Sequence, residues 1–317
     1  MPESLFDKSR RAIHSLRRRT IGDRHVAAYY WAKSKFKNAG KVWVYPDGAA
    51  GSSIDRVCAQ LGLKITRTMS PDVLIGLYYD DDTFIKPPPQ ADFRILNANC
   101  LDISKSRVEQ VFHEVFGYPL AIDPLTYSGR AACKSNLNGK HDGSVIDCPI
   151  EKIAPGRVYE KLIDNAVSDY LVEDIRLVVI GKQLPVAYRK TRFIEQRFSN
   201  YTRSARRVPL NSVVSRSEQE LILQFASKMH VDWAELDAMR DRTDGRLYIV
   251  DVNKTPGGPP SRMPFFPKIA AVKLMAEAFH SEFIASPTAC KSPDPQALPQ
   301  QQQQQQFARQ ASPSRTV

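Results

Sequence analysis

The segment from Glu235 to Asn253 constrains the fold more than any other part of the sequence. It contains the turn Thr243-Asp244-Gly245, and glycine there can supply the left-handed backbone conformation that a three-residue hairpin loop needs. The apolar run Leu247–Val250 follows, which is typical of a buried strand. The segment is therefore predicted to form a β-hairpin whose second strand lies in a core.

Counting outward from the turn predicts which residues of the hairpin face each other. The predicted pairs are Arg242–Arg246, Asp237–Asp251 and Glu235–Asn253. Side chains alternate between the two faces of a strand, and residues opposite each other share a face, so Asp237, Asp251 and Asn253 converge. Two or three protein oxygens, completed by phosphate and water, are the usual magnesium ligands. The alternative is a surface hairpin with ordinary charges.

The first part of the chain predicts a small parallel α/β unit. Lys41–Tyr45 reads as a buried strand, a glycine turn and a helix follow at 48–61, and Val73–Tyr79 reads as a second strand. A strand, a helix and a strand in this order favour parallel pairing. A third strand is predicted over Ile95–Cys100, and then a helix that Ser104 caps and Gly117 ends.

The second part predicts an antiparallel hairpin with a long basic loop, followed by a larger strand-rich region. Strands are expected at 130–134, 144–148, 158–163, 171–180 and 185–189, and helices at 216–230 and 269–284. The predicted fold class is therefore mixed α/β.

Composition sets the broad class of the protein. The net charge of +11 allows anionic ligands, and no apolar run approaches the roughly 18 residues of a membrane span. The five scattered cysteines form no metal or disulfide pattern. We expect a soluble, cytoplasmic protein with a basic helical segment at 1–40 and a disordered tail, rich in glutamine, proline and serine, at 286–317. The basic segment is expected to be solvated, so nucleic acid is not an expected partner.

Basic residues upstream of the hairpin suit a polyphosphate. Lys134 precedes the glycine-bearing loop 136–143, whose backbone N–H groups and Lys140 can cover phosphates. Glu160–Ile163 can present backbone groups to an adenine edge at the end of a strand. A basic cluster follows at Arg176, Arg189, Lys190, Arg192 and Arg197; each arginine alone reads as a surface residue, but the cluster suits a phosphoryl transition state.

The order of these features resembles the ATP-grasp superfamily, in particular carboxylate–amine ligases such as D-alanine–D-alanine ligase and the ribosomal-protein glutamate ligases. The resemblance covers about residues 116–285, and residues 41–115 look like the small α/β domain that precedes this fold. It implies two α/β subdomains that clasp ATP. The superfamily usually has glutamate where this chain has Asp251.

The resemblance also implies roles for individual residues. Contacts to ATP are implied for Lys134, Lys140, Gly143, Glu160, Lys161, Leu162, Ile163 and Asp164. Phosphate or substrate contacts are implied for Arg176, Arg189, Arg197 and Asn200, and magnesium ligands for Asp237, Asp251 and Asn253.

The reaction that the resemblance implies uses ATP and Mg²⁺ to activate a carboxylate as an acyl phosphate, which an amine or a thiol then attacks. The expected partners are a small-molecule or peptide carboxylate and an amine co-substrate, and a homodimer is compatible with this interpretation. Two alternatives stay open. One is a kinase on the same scaffold that phosphorylates a small molecule, and the other is a nucleotide-binding protein without activity.

Overall fold

The computed structural model describes residues 21–35, 39–46 and 50–285. Its helices are α1 (Ile21–Ser34), α2 (Ser53–Leu61), α3 (Lys105–Phe116), α4 (Arg216–Lys228) and α5 (Phe265–Phe279), the last continued by a π-helical turn at His280–Ile284. The strands before residue 150 are β1 (Lys41–Pro46), β2 (Lys64–Thr66), β3 (Val73–Tyr79), β4 (Ile95–Leu96), β5 (Gly129–Ser135) and β6 (Ser144–Cys148). The later strands are β7 (Arg157–Lys161), β8 (Ala166–Ser168), β9 (Leu171–Ile180), β10 (Gln183–Phe193), β11 (Ser204–Val208), β12 (Trp233–Arg240) and β13 (Leu247–Asn253).

The mixed α/β fold class is confirmed. Most of the basic segment predicted at the N-terminus (residues 1–20) and all of the tail predicted at 286–317 lie outside the described residues. Within the described ranges, no helix is long and apolar enough to cross a membrane.

The predicted parallel α/β unit is present as a four-stranded sheet in the order β2-β1-β3-β4. Helix α2 begins where the Ser52 side chain accepts a hydrogen bond from the Asp55 amide, and it ends at Gly62, which has a φ of 72°. The third strand was predicted to reach Cys100 but ends at Leu96. Asn97 leaves the sheet with a φ of 60°, and its side-chain oxygen accepts the Asp232 amide at 2.8 Å.

A three-stranded antiparallel sheet in the order β6-β5-β7 contains the predicted hairpin and its glycine loop. Strand β7 ends at Lys161, so Leu162 and Ile163 lie beyond the strand that was predicted to include them.

The large antiparallel sheet has the order β11-β10-β9-β12-β13, with β8 paired to β9. The predicted pairs Asp237–Asp251 and Glu235–Asn253 are confirmed. The pairing predicted at the turn is wrong, because Arg246 pairs through its carbonyl with the amide of Asp241 and not with Arg242. The register shifts between Asp237 and Ala238, which face Asp251 and Ile249, so Val250 is the extra residue of a β-bulge.

Helices cover both faces of the large sheet. In α3, Val108, Val111 and Phe112 are buried in one core with strands β9, β12 and β13. In α5, Val272, Met275 and Phe279 are buried in a second core that includes strands of the parallel sheet and of the large sheet. Helix α5 thus holds the parallel sheet and the large sheet together. The charged part of the large sheet lies beside loops of both sheets.

Candidate active site

Charged side chains cover one part of a face of the large sheet. Arg176 of β9 faces Asp237 of β12, which in turn faces Asp251 of β13. One step along the strands, Lys190 of β10 faces Asp174 of β9. These positions share a face because each is an even number of residues from its neighbour on the same strand.

Asp237 lies at the centre of an ion-pair network. Its two carboxylate oxygens accept hydrogen bonds from Nε and Nη2 of Arg176 at 2.8 Å each, and Lys190 Nζ lies 3.1 Å from Oδ1. Nη1 of Arg176 also donates to Glu235 Oε2 at 3.0 Å. Burial alone would raise the pKa of Asp237, but the charges of Arg176 and Lys190 outweigh it and hold the pKa well below its usual range.

Two further pairs extend the network. Lys105, the first residue of α3, donates to Asp251 Oδ1 at 2.5 Å. Arg192 forms a short contact with the buried carboxylate of Asp174. Lys190 is almost fully buried, and burial lowers the pKa of its ammonium group even though Asp237 opposes this shift. Acids and bases are therefore paired across the face, although Asp237 and Asp251 lie opposite each other.

The network forms the floor of a cleft of about 460 Å³. Among the described residues, eight basic side chains and five carboxylates line this cleft, which leaves an excess of positive charge suited to a polyanion. Apolar side chains also reach it, among them Leu137, Phe198, Met239 and Val250. Val250 and its neighbour Asp251 both line the cleft, which the bulge at Val250 makes possible.

The loop after β5 forms one wall of the cleft. Lys134 at the end of β5 pairs with the buried carboxylate of Glu160, and Lys140 is exposed within the loop. The amide of Asn138 donates to Thr83 Oγ1 at 2.8 Å, which ties the loop to the parallel unit. Gly143 packs so tightly against Phe198 that an added Cβ would lie 2.4 Å from the ring.

Most of the predicted site residues line the cleft. They are Lys134, Lys140, Gly143, Arg176, Arg197, Asn200, Asp237 and Asp251. Glu160 is connected to them through Lys134. Nη2 of Arg197 donates to the carbonyl of Ile163 and to Asn165 Oδ1, both at 2.9 Å, so the predicted adenine-binding segment meets the cleft at this arginine.

Other predicted site residues lie away from the cleft. Arg189 projects from the opposite face of the sheet, where it pairs with Glu173 at 3.1 Å. Lys161 turns to the hairpin loop and pairs with Asp241 and Asp244 at 2.7 Å each. Leu162 does not line the cleft, and Asp164 is exposed, 3.9 Å from Arg242. The structure therefore does not bring Arg189, Lys161, Leu162 or Asp164 together with the other residues.

The oxygen atoms at the hairpin end suit Mg²⁺. Asp237 and Asp251 face each other, and Glu235 and Asn253 form the next pair along the two strands. Oε1 of Glu235 and Nδ2 of Asn253 are buried without a hydrogen-bond partner in the described part of the chain. A buried carboxylate oxygen without a partner is costly, and a hard cation would satisfy it. Of the predicted ligands, Asp237 and Asp251 offer carboxylate oxygens in the cleft, which suit the ion, whereas Asn253 does not line the cleft and its unpartnered atom is an N–H donor.

The cleft also contains residues for which no individual role was predicted, although Lys190 and Arg192 belong to the predicted basic cluster. The residues concerned are Arg56, Lys105, Asp174, Lys190 and Arg192. Alternation along the strands was a usable signal for three of them, because Asp174 is two residues before Arg176, and Lys190 and Arg192 are two apart. No local signal marks Lys105, which lies 146 residues before Asp251.

The network predicts how stability depends on pH. Because the pKa of Asp237 is lower in the folded than in the unfolded protein, its stabilising contribution is complete above the ordinary aspartate pKa and is lost as the pH falls below it. We expect the difference in unfolding free energy between the wild type and Asp237→Asn to shrink by about 1 kcal/mol from pH 6 to pH 3. Urea denaturation at each pH measures it, and a difference that stays constant contradicts the assignment.

Comparisons with known proteins give matches at the level of structure. A scan against protein-family models and a search of curated proteins found no match. The ATP-grasp ligase PsnB, complexed with a phosphomimetic variant of its minimal precursor, Mg and ADP, aligns at 12% identity over 75% of this chain and 98% of that chain, with a TM-score of 0.48. In another PsnB structure, with the minimal precursor, the alignment covers 60% of this chain and 64% of that chain at 13% identity, with a TM-score of 0.40.

Two other ligases give similar alignments. D-alanine–D-alanine ligase from Bacillus anthracis, complexed with ATP, aligns at 12% identity over 78% of this chain and 97% of that chain, with a TM-score of 0.44. The macrocyclase MdnC from Microcystis aeruginosa MRC, bound with the precursor peptide MdnA, aligns at 13% identity over 75% of this chain and 99% of that chain, with a TM-score of 0.43. The chain is similar to these solved structures. Their fold is that of the ATP-grasp ligases, which is the fold that the sequence motifs predicted.

Proposed function

We propose that the protein is an ATP- and Mg²⁺-dependent ligase that activates a carboxylate as an acyl phosphate and joins it to an amine. The observation that supports this most is the juxtaposition of Asp237 and Asp251 with Arg176 and Lys190 on the floor of one cleft. Oxygen ligands for a cation and fixed positive charges for phosphate are what the reaction requires.

The nucleotide would lie at the end of the cleft formed by the loop after β5. Met239 and Val250 offer an apolar surface to the base, and Lys134 and Lys140 offer positive charge to the phosphates. The backbone amides of the loop would add further donors. Glu160 would hold Lys134 in place through their ion pair.

Mg²⁺ would be held by Asp237, Asp251 and Asn253 and would offset the charge of the phosphate oxygens. Arg176 positions Asp237 by its two parallel hydrogen bonds, and Lys105 positions Asp251. Arg197 and Asn200, which also line the cleft, are available to the transferred phosphoryl group and to the substrate carboxylate. Charge and position, rather than a protein nucleophile, would supply the catalysis.

The proposed reaction balances in two steps. An oxygen of the substrate carboxylate attacks the γ-phosphorus of ATP, the bond from that phosphorus to the bridging oxygen breaks, and ADP leaves. The amine nitrogen then attacks the acyl carbon, the carbon–oxygen bond to the phosphate breaks, phosphate leaves, and the nitrogen releases a proton to solvent.

A co-substrate screen tests the proposed function. Purified protein is incubated with Mg·ATP and pools of carboxylates and amines, ADP is quantified, and products are identified by mass. We expect ADP and phosphate to form in equal amounts with an amide product, and only when both substrates are present. A stable phosphoester without an amine would identify a kinase instead. A Mg·ATP-dependent thermal shift without turnover would favour a nucleotide-binding protein without activity, and the absence of both would favour a decayed site.

The contact between Gly143 and Phe198 makes a prediction about the nucleotide loop. Gly143→Ala would place a methyl group 2.4 Å from the Phe198 ring, so the loop or the ring must move. Overpacking of this kind costs about 1–3 kcal/mol, and we expect KM for ATP to rise about tenfold. Steady-state kinetics measures the effect. Gly257→Ala in the same cleft is the control, because its added Cβ would meet nothing within 4 Å. Gly143→Ala combined with Phe198→Ala should restore KM, and no recovery would rule out the contact as the cause.

A further inference from the structure

Strand β11 is an edge of the large sheet. It occupies the first place in the order β11-β10-β9-β12-β13 and pairs with β10 through five residues, from Ala187–Val208 to Thr191–Ser204. No other described strand pairs with its outer side. An edge strand presents unpaired N–H and C=O groups along that side, which can bind a strand from another chain.

Three arginines give this edge a strong positive charge. Arg206 and Arg207 lie within β11 and Arg203 directly precedes it; all three are exposed. Among the described residues, none of the three has a carboxylate within ion-pair distance, whereas the cleft arginines Arg176 and Arg192 are paired. The charge is therefore available to a partner, and it also opposes pairing with the same edge of a second copy.

The two arginines within the strand project to opposite faces. Arg206 lies opposite Arg189, and Arg207 lies opposite Tyr188, on the face that carries the charged network. A partner strand with acidic side chains would meet an arginine on either face, because side chains on the added strand alternate in the same way.

The start of β11 adjoins the cleft. Arg197 and Thr202 both line the cleft, and the amide of Arg203 donates to the carbonyl of Thr191 at 2.8 Å, which directs the chain from the cleft wall into the strand. Five residues of strand extend about 17 Å. A peptide paired along β11 would therefore have one end at the cleft and the other away from it.

We propose that the edge of β11 binds an acidic peptide as an added strand and so presents a carboxylate of that peptide to the cleft. The inference deepens the proposed function and rests on it for the fate of the carboxylate, but peptide binding itself requires neither ATP nor turnover.

Fluorescence anisotropy tests the charge part of this proposal, without ATP. The probe is a fluorescein-labelled peptide amide of sequence Glu-Val-Glu-Val-Glu-Val. We expect the double variant R206E/R207E to bind it at least about tenfold more weakly than the wild type. The matched control is R216E/K273E, which makes the same change in net charge at two side chains that are 95% and 67% exposed. Equal affinity of R206E/R207E and the wild type would overturn the proposal.

A second arm tests strand addition on the wild-type protein. The same peptide with N-methyl groups on alternate residues, placed in either register, keeps its charge but loses the N–H donors of one edge. We expect one of the two registers to weaken binding at least about tenfold. Equal binding of all peptides, or tighter binding of a thymidine oligonucleotide than of the acidic peptide, would contradict the proposal. Peptide binding is measured without ATP, so a failure of the ligase proposal can be told apart from a failure of this one.

Discussion

Replacing Asp251 with alanine is expected to lower ATP-dependent ADP release by roughly 100-fold or more. The variant removes one of the two carboxylates that face each other on the floor of the cleft, and with it a proposed ligand of Mg²⁺. It also leaves Lys105 without its partner, so the positive charge at this place in the cleft changes as well. The measurement is the initial rate of ADP formation at saturating Mg·ATP, with the substrates found in the co-substrate screen.

The control for this prediction is Asp169→Ala, which removes an exposed carboxylate in the turn before β9. It should retain the wild-type rate. The thermal unfolding of both variants should be compared, so that lost folding is not mistaken for lost activity. An Asp251→Ala protein that is folded and turns over ATP as fast as the wild type would contradict the site assignment.

Replacing Arg176 with methionine is expected to destabilise the fold by about 3–5 kcal/mol. The side chain of Arg176 donates to both oxygens of Asp237 and to Glu235, and Glu235 is only 1% exposed. Without the guanidinium group, the buried carboxylate of Glu235 and the partly buried carboxylate of Asp237 lie beside each other, and Lys190 is the cation that still contacts Asp237. Burial already raises the pKa of Glu235 against the effect of Arg176, so removal of the arginine should favour its protonation further.

Urea denaturation of the variants measures this effect. The double variant R176M/D237L removes both charges of the central pair and should be less destabilised than R176M alone, because apolar groups of similar volume can replace a buried ion pair. Arg216→Met is the control, since the Arg216 side chain is 95% exposed. A loss below about 1 kcal/mol for R176M would show that the network is solvated rather than buried.

The sequence predicted the strands of the site better than the turn that joins them. Counting outward from a three-residue turn predicted Asp237 opposite Asp251, and this pair is correct. The turn was predicted with one residue fewer than it has, and the bulge at Val250 corrects the difference farther along the strand. Both errors are local, and the packing of Leu247–Val250 determines the final register.

The sequence could not predict contacts between segments that are far apart in the chain. Lys105 begins helix α3, and the apolar pattern of that helix predicts only which side is buried. The ion pair between Lys105 and Asp251 therefore follows from how α3 packs on β13. The choice of Arg189 instead of Lys190 was a different error. Motif order suggested Arg189, but neighbouring strand residues point to opposite faces, and only the sheet pairing shows which face forms the cleft.

The bulge at Val250 affects where the hairpin can gain or lose residues in related chains. The residues 242–245 between the paired ends of β12 and β13 are exposed, and length changes there leave the strands in register. Removal of the single residue Val250 would turn the bulge into a regular ladder, in which Asp251 follows Ile249 directly and stays opposite Asp237, so Asp251 and Asn253 would keep their face. Homologous chains should therefore vary in length both at the hairpin tip and at the bulge, while the pairing of Asp251 with Asp237 is kept.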